Sequence, residues 1–416
     1  MNKNGSWTFR YTLLNVTYFA AFCTIHACAA IYLLAHGFSN TEVGILLAVA
    51  NISSAICQPY IAGIIDKPGP LTNRRFILIA VLIIFAGSAV LMVVRENKAV
   101  IFVVYALIYM IQFAYQPVMT ALCFEYQKAG CDIYYGLARG LGSAGFAITS
   151  AFVGRAIEKR GVRLLLIINM IVMAVSALVI YTFKKPGSCN GAFRETSSEG
   201  ESPDGSKTLP DTDRAHNNIR DFARTYPAFM LFLVGTICFF FAHNMINDFM
   251  IQIIRSLGGG EAELGYSNFL QAILELPVMA LIGLILKRVT SDKLLVFSGG
   301  AFFVKTLILV FASNMAGMYL SQSFQLFAYA VFIPATAYYV SETMDEFDQV
   351  KGQAYVTSAI TFGGVFSNLI SGALLDDLGV RPMLITGAAV SFAGVIIAFV
   401  AMNRLPGRSQ DRETKE

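Results

Sequence analysis

The stretch "GRAIEKRGVRLLLI", residues 154–167, returns in the second half of the chain as "GALLDDLGVRPMLI", residues 372–385. Gly154 and Gly372, Gly161-Val162-Arg163 and Gly379-Val380-Arg381, and Leu166-Ile167 and Leu384-Ile385 stand in register, and Gly145 and Gly363 keep the same offset. A single match of this length can arise by chance. Both copies, however, sit at the same hairpin of a six-helix pattern, which favours an internal duplication.

The surrounding sequence is apolar. Of 416 residues, 56% are hydrophobic and 14% charged, and the mean hydropathy is +0.60. A soluble domain sits near 45–50% apolar and about 25% charged. A membrane-spanning helix needs roughly 20 mostly apolar residues, and the chain supplies about twelve such runs. They fall near 11–35, 40–65, 76–95, 98–124, 133–157, 162–183, 228–254, 264–286, 293–313, 316–341, 352–375 and 382–403. The period-two alternation of a membrane barrel is absent. The expected fold is therefore an all-α membrane protein, with twelve transmembrane helices in two pseudo-symmetric six-helix bundles. Met1 to Trp7 is polar and the run after it is full span length, so it reads as a first span rather than a cleavable signal.

Lys and Arg concentrate on cytoplasmic loops; with both termini inside, about 21 fall on inner segments and about 7 on outer ones. The expectation is a multi-pass protein of the bacterial cytoplasmic membrane with N- and C-termini cytoplasmic. Between the sixth and seventh runs lies a stretch rich in Ser, Gly, Asp and Pro, with too few large apolar residues to bury a core. The chain thus divides into an N-terminal bundle (1–184), a flexible linker (185–224), a C-terminal bundle (225–404) and a tail (405–416). The net charge of +4 reflects this topology and gives no sign of nucleic-acid binding. The seven cysteines form no disulfide framework and have no metal-site spacing. No cofactor is expected, and the absence of a nucleophile–base constellation argues against an enzyme.

Polar residues inside spans are costly and face a partner or a water-filled cavity. Here they fall on helix faces at spacings of three, four and seven. The second span offers Asn51, Ser54 and Gln58; the fourth, Tyr105, Tyr109, Gln112 and Gln116. The seventh offers Asn244, Asn247 and Asp248 with His243 beside them; the eighth, Asn268, Gln271 and Glu275; the tenth, Gln322, Gln325 and Tyr329. Any one of these can be interhelical glue. Five aligned stripes are explained more simply by a shared cavity. Amides and phenols that both donate and accept suit a neutral, hydroxyl-rich solute. A site for multivalent anions would show several Arg or Lys, and a drug-export cavity would be more aromatic and apolar.

The ionisable residues within spans are Arg139, Glu275, Lys305, Asp248, His26 and His243, with Arg155 near an outer end. Glu275 and Lys305 stand near mid-depth on successive helices, either as a structural ion pair or as a site where a desolvated carboxyl exchanges a proton. In "YGLARGLGSAGFA" (135–147), Gly136 and Gly140 form a G-x-x-x-G that permits close helix contact. Arg139, Gly142, Ser143 and Phe146 share another face, so a guanidinium fork and an aromatic ring project together. Substrate binding and assembly by pairing with Glu275 are the two readings of Arg139.

These features resemble the major facilitator superfamily and, within it, the oligosaccharide–proton symporter branch that includes lactose permease. "CQPYIAGIIDKPGPLTNRR" (57–75) is similar to the family's signature between the second and third spans, with Gln58-Pro59, Asp66-Lys67, Gly69 and Arg74-Arg75 in corresponding roles. It carries a longer insertion before the arginines, and Ala62 where the signature has glycine. "YGLARGLGSAGFA" resembles the segment that bears the branch's sugar-binding arginine, here Arg139, and the sugar-stacking tryptophan falls on Phe146. "GGAFFVK" resembles the ninth-span segment with a coupling arginine, replaced by Lys305. The branch's sugar-binding glutamate of the fourth span falls on Ala121, and the glutamate of the eighth on Ala272, one turn from Glu275. Its tenth-span lysine, histidine and glutamate fall on Gln322, Gln325 and Ala328.

The resulting expectation is a proton-coupled permease for a sugar or a similar neutral polar solute such as a nucleoside. Substrate would be held by Arg139, Phe146, Gln116, Asn244, Asn247, Gln271 and Gln325. Coupling, to protons or Na+, would involve Glu275 first, then Asp248, with Lys305, His26 and His243. Asp66, Lys67, Arg74 and Arg75 would gate the cytoplasmic side. The protein is expected to work as a monomer in the lipid bilayer. Drug or metabolite export is the nearest alternative, and a transporter-derived sensor a remoter one.

Overall fold

The computed structural model describes residues 3–65, 71–94, 96–184 and 219–403. Helices account for almost all of them. α1 (Lys3–Phe22) passes through a π-helical turn, Cys23–Ala27, into α2 (Ala29–Ala35), and together these form the first span. Spans two to six are α3 (Asn40–Ile65), α4 (Asn73–Val93), α5 (Lys98–Lys128), α6 (Tyr135–Arg160) and α7 (Arg163–Thr182). After the short α8 (Ile219–Thr225), the seventh span is α9 (Pro227–Asp248) with α10 (Met250–Ser256). α11 (Glu261–Ile285) and α12 (Ser291–Phe311) follow. The tenth span joins α13 (Met315–Ser323) to α14 (Tyr329–Thr343) through a 3-10 turn, and α15 (Glu346–Asp377) and α16 (Val380–Asn403) complete the set. Nine of these helices are long and apolar enough to cross a membrane, or ten with the bent first pair.

Local chemistry sets the boundaries. The side chains of Thr72, Asn97 and Asn314 accept from the backbone N–H three residues on, capping α4, α5 and α13. Gly161 and Gly379 adopt φ of 81° and 86°, a left-handed conformation that favours glycine. These are the duplicated Gly-Val-Arg positions, so the repeat marks the same turn in each half. Proline sits inside α3, α5, α11 and α14, in spans two, four, eight and ten, again with the period of the duplication.

Large apolar side chains such as Ile148, Phe152, Ile171, Leu178, Phe392 and Phe399 are exposed, as a lipid-facing surface requires. The linker expectation needs one correction. Residues 185–218 lie outside the described residues, but 219–225 are helical, because Phe222 is fully buried against Tyr226, Phe229 and Tyr355. Asp66, Lys67 and the tail from 404 also lie outside them.

The two six-helix sets meet through α3 against α15 and α6 against α11. With twelve spans both chain ends share one face of the molecule, the terminal face. The contacts are tightest at the opposite, far face. A Cβ at Gly44 would come 2.1 Å from the carbonyl oxygen of Asn368, and one at Gly372 2.5 Å from that of Asn40. At the other seam, Cβ atoms at Gly154 and Gly265 would each lie 2.4 Å from a backbone oxygen of the facing helix. One apolar cluster runs through the N-terminal set and continues across the far face into α10, α12 and α16, whereas a second, from Phe222 to Met402, stays within the C-terminal set. Toward the terminal face, Gly63 on α3 and Gly136 and Gly140 on α6 have no atom of the described residues within 4 Å of where a Cβ would stand. The G-x-x-x-G pair therefore makes no close helix contact here. That role belongs to Gly154, across the seam, and to Gly142 and Gly145, against α1.

Candidate transport site

α6 and α11 run antiparallel, and the approach of Gly154 to Glu261 and of Gly265 to Ser150 sets their register. Continued toward the terminal face, that register brings Arg139 level with Glu275, and their charges lie within interaction range across the gap. Among the described residues the two form no direct ion pair.

Arg139 is half-buried. Its Nη1 donates to Ser143 Oγ at 2.9 Å, and its guanidinium carbon stands 4.2 Å from the ring centre of Phe19 on α1. Such a cation–π contact contributes about 0.5–2 kcal/mol. Phe19 reaches this position because α6 carries glycine where α1 crosses. A Cβ at Gly142 would fall 2.7 Å from Phe19 Cδ2, and one at Gly145 3.1 Å from Val16 Cγ1. The ring over the expected arginine is therefore Phe19. Phe146 packs instead toward Phe22, with ring centres 6.4 Å apart. Arg139 and Phe146 both face α1, one against Phe19 and the other toward Phe22 one turn on.

On the opposite wall, Lys305 Nζ donates to Gln325 Oε1 at 2.7 Å, and Gln325 Nε2 donates to Glu275 Oε1 at 2.9 Å. Lys305 is fully buried, and its backbone carbonyl accepts from Ser321 Oγ at 2.7 Å. Glu275 and Lys305 thus come together as the sequence implied, through an intervening amide rather than as a direct pair. Gln325, expected to bind substrate, is that amide. Gln322, one turn earlier, is fully buried with both amide atoms unpartnered.

His243 stacks on Tyr329 at 5.2 Å, and Asn247 Nδ2 lies 2.9 Å from its Nε2. Its Nδ1 is buried without a hydrogen-bond partner among the described residues. Asn244 donates to the carbonyl of Phe240 at 2.9 Å. Gln271 is buried on α11, and Gln116 is half-buried on α5. His26 lies in the π-helical turn, stacked on Phe22 at 4.1 Å and against Tyr109 at 3.7 Å. Among the described residues, neither of its ring nitrogens has a hydrogen-bond partner, nor does either side-chain polar atom of fully buried Gln112. Asp248 ends α9, facing Asn368 of α15 and Tyr109 of α5.

Other intramembrane polar residues are interhelical glue. Asn169 Nδ2 donates to Ser88 Oγ at 2.8 Å and its Oδ1 accepts from Thr24 at 3.2 Å, while Gln58 Nε2 donates to Ser54 Oγ within α3 at 3.2 Å and to the carbonyl of Phe113 on α5 at 3.5 Å. Arg74 donates to the carbonyls of Ile180 (2.9 Å) and Tyr181 (2.7 Å), bracing the end of α7 within its own half. Arg75 is exposed at the start of α4.

Sequence reasoning missed the far-face seam. Asp376 Oδ1 accepts from the backbone N–H (3.1 Å) and Nδ2 (2.8 Å) of Asn40, while its Oδ2 accepts from the N–H (2.7 Å) and hydroxyl (2.6 Å) of Thr41. A carboxylate at a helix N-terminus is favourably placed. Gln252 Nε2 donates to Asn40 Oδ1 at 2.8 Å. At the second seam, Arg155 stands 4.9 Å over the ring of Tyr266. The available signal was Gly364-x3-Asn368-x3-Gly372, a polar residue between small ones at one-turn spacing. A cleft of about 610 Å³ between α10, α12 and the α15–α16 turn, with Arg381 at its rim, shares none of the residues around Arg139 and Glu275.

Two six-helix sets, joined at one face and enclosing a polar centre, define the class: a polytopic membrane protein of the transporter fold. Residues 9–385 match the MFS_1 like family, and the chain belongs to it. None of the curated protein sequences matches this chain. Among solved structures it is similar to a mutant of the nucleoside transporter NupG (TM-score 0.77, 14% identity, 95% of this chain and 99% of that one). It is also similar to an auto-inhibited POT family peptide transporter (0.75, 12%, 97% and 98%). A bacterial homologue of the human lysosomal transporter Spinster gives 0.67 at 11% identity over 97% and 98% of the two chains. At these identities the likeness is one of fold.

Proposed function

We propose that the protein takes up a neutral, hydrogen-bonding solute, a sugar or nucleoside, by cation-coupled alternating access. The observation that carries this reading is the pairing of Arg139, held over Phe19, with the Glu275–Gln325–Lys305 chain at the same depth on the facing half. The guanidinium offers in-plane donors to vicinal hydroxyls, and the ring offers an apolar face to a sugar or base. Amides and phenols on α5, α9, α11 and α14 supply the remaining contacts, with Gln116, Asn244, Asn247 and Gln271 among them.

Glu275 is the group through which a proton would couple. Its carboxylate is bonded to a neutral amide rather than to a cation, so adding a proton breaks no ion pair. With the termini cytoplasmic, the far face is the outer one, and the seams at Gly44–Asn368 and Gly154–Gly265 close the outward path. The family resemblance and the nucleoside transporter among its structural neighbours support the solute class. Asp66, Lys67, Arg74 and Arg75 would gate the cytoplasmic side, and the protein would work as a monomer.

Uptake into right-side-out vesicles, across labelled sugars, nucleosides and small acids, with and without a pH gradient, tests the proposal. Gradient-dependent accumulation of a neutral solute is expected. Accumulation of none, or extrusion of lipophilic compounds, overturns it.

A further inference from the structure

α9 and α15 both run from the terminal face to the far face, packed side by side. Their register is set where Gly364 meets Asn244, since a Cβ at Gly364 would lie 3.0 Å from Asn244 Nδ2. One turn on, the same register sets Asp248 level with Asn368. A further turn brings Gln252 beside Ser371 and Gly372, and the bond from Gln252 to Asn40, whose carbonyl abuts Gly372, holds it there. A column of polar groups thus climbs from the central site to the Asp376 seam.

Asp248 forms no ion pair with any cationic side chain among the described residues. Asp248 is half-buried, and an ionised carboxylate inside a span is costly unless a partner or a cation accompanies it. The side chains at this level and one turn on carry oxygens that have no hydrogen-bond partner among the described residues. Asn368 is fully buried with both amide atoms unpartnered; Ser367 and Ser371 are fully buried with free hydroxyls; Gln252 Oε1 is buried and free. The chain also breaks here. Asp248 is the last residue of α9, Phe249 leaves helical geometry, and the Gln252 N–H bonds back to Phe249 rather than continuing the ladder. A half-helix C-terminus turns its carbonyl dipoles toward a cation in this way. The remaining titratable neighbours are Tyr109 from α5, with His26 stacked on it, and His243 on α9 itself.

We infer that Asp248, Asn368, Ser371 and Gln252 form a site for a monovalent hard cation, Na+, built into the α9–α15 seam beneath the far-face closure. One carboxylate matches a single charge, and neutral oxygen donors are what a hard cation takes. A proton on Asp248 would satisfy one acceptor and leave the others unbonded. The site is linked to closure because the backbone of Asn368 is the surface that Gly44 packs on, and Gln252 is bonded to the Asn40 that Asp376 holds. Opening the far face therefore disturbs two of the four donors.

The inference rests on the reading of the chain as a cation-coupled transporter, but its test needs no transported solute. Purified full-length protein is heated in NaCl or in choline chloride at equal ionic strength, at two pH values, and the unfolding midpoint is read. Na+ is expected to raise it by several degrees. Asp248→Asn and Asn368→Ala should lose that rise, and Ser371→Ala should weaken it. Glu275→Gln should keep it, which separates this site from the proton role proposed for Glu275. Should Asp248→Asn fail to fold, Asn368→Ala carries the test. No Na+ effect on the unaltered protein, a shift that survives Asn368→Ala, or a response to pH alone overturns the inference.

Discussion

Asp376, the second-last residue of α15, accepts both the backbone N–H and the hydroxyl of Thr41, at 2.7 and 2.6 Å, and so caps the first turn of α3 across the boundary between the two halves. Locally, Ser39 Oγ accepts from the N–H of Glu42 at 3.2 Å and Glu42 Oε2 accepts from the N–H of Ser39 at 2.8 Å; Asp376 adds partners for Asn40 and Thr41 from the other half. α3 finds its full set of N-terminal partners only when the far face is closed.

Asp376→Ala removes that cap. Hydrogen bonds to a charged group contribute about 1.5–3 kcal/mol, less for an exposed carboxylate, so about 1–2 kcal/mol of bias toward closure is lost. That is about a 5- to 30-fold shift in population. Spin labels at Ser39 and Leu378 should report a larger share of long distances, and an unchanged distribution would remove Asp376 from the closure.

Gly44→Ala places a methyl group 2.1 Å from a backbone oxygen that cannot move aside. Closure should fail, with transport down at least about tenfold, while the protein still reaches the membrane. Gly300→Ala, where a Cβ meets open space, should leave transport intact and gain a few tenths of a kcal/mol in helix propensity. Equal tolerance of both changes would mean that the seam is not under tension.

Arg139→Lys keeps the charge and loses the planar fork that reaches both Ser143 and the Phe19 face. Apparent affinity for the solute should fall about tenfold or more, equivalent to about 1.4 kcal/mol, with expression unchanged. Initial rates of uptake at graded solute concentrations measure it; an unaltered affinity makes Arg139 structural.

Gln325→Leu should be the costliest of these substitutions to stability, since it strands Lys305 and Glu275 inside the bundle. Breaking a buried charged network in this way costs about 3–5 kcal/mol. The thermal midpoint should drop accordingly. Adding Lys305→Met and Glu275→Gln to the same protein should recover most of it, because neither of the two stranded charges then remains.

Glu275→Gln should leave solute exchange near normal and abolish accumulation against a gradient. Counterflow and uphill uptake in the same vesicles separate the two. Retained accumulation assigns coupling to another group, with Asp248 the first to examine.

The amino-acid sequence determined the helices, their number and their duplication. Apolar runs of span length dictate helices whatever surrounds them, and a Gly-Val-Arg repeat at a left-handed turn is readable because the constraint is local. The depth of Glu275 and Lys305 was legible for the same reason. What the period of one helix cannot contain is the identity of the facing helix and the offset between them. Only the tertiary structure decided that Phe19, not Phe146, lies over Arg139, that Gln325 stands between Lys305 and Glu275, and that Asp376 caps α3. Each of these contacts joins residues far apart in sequence. The contacts of Arg139 and Asp376 depend on backbones brought close at glycines, Gly142 and Gly372, where the geometry of two surfaces, rather than the residue type alone, selects the partner.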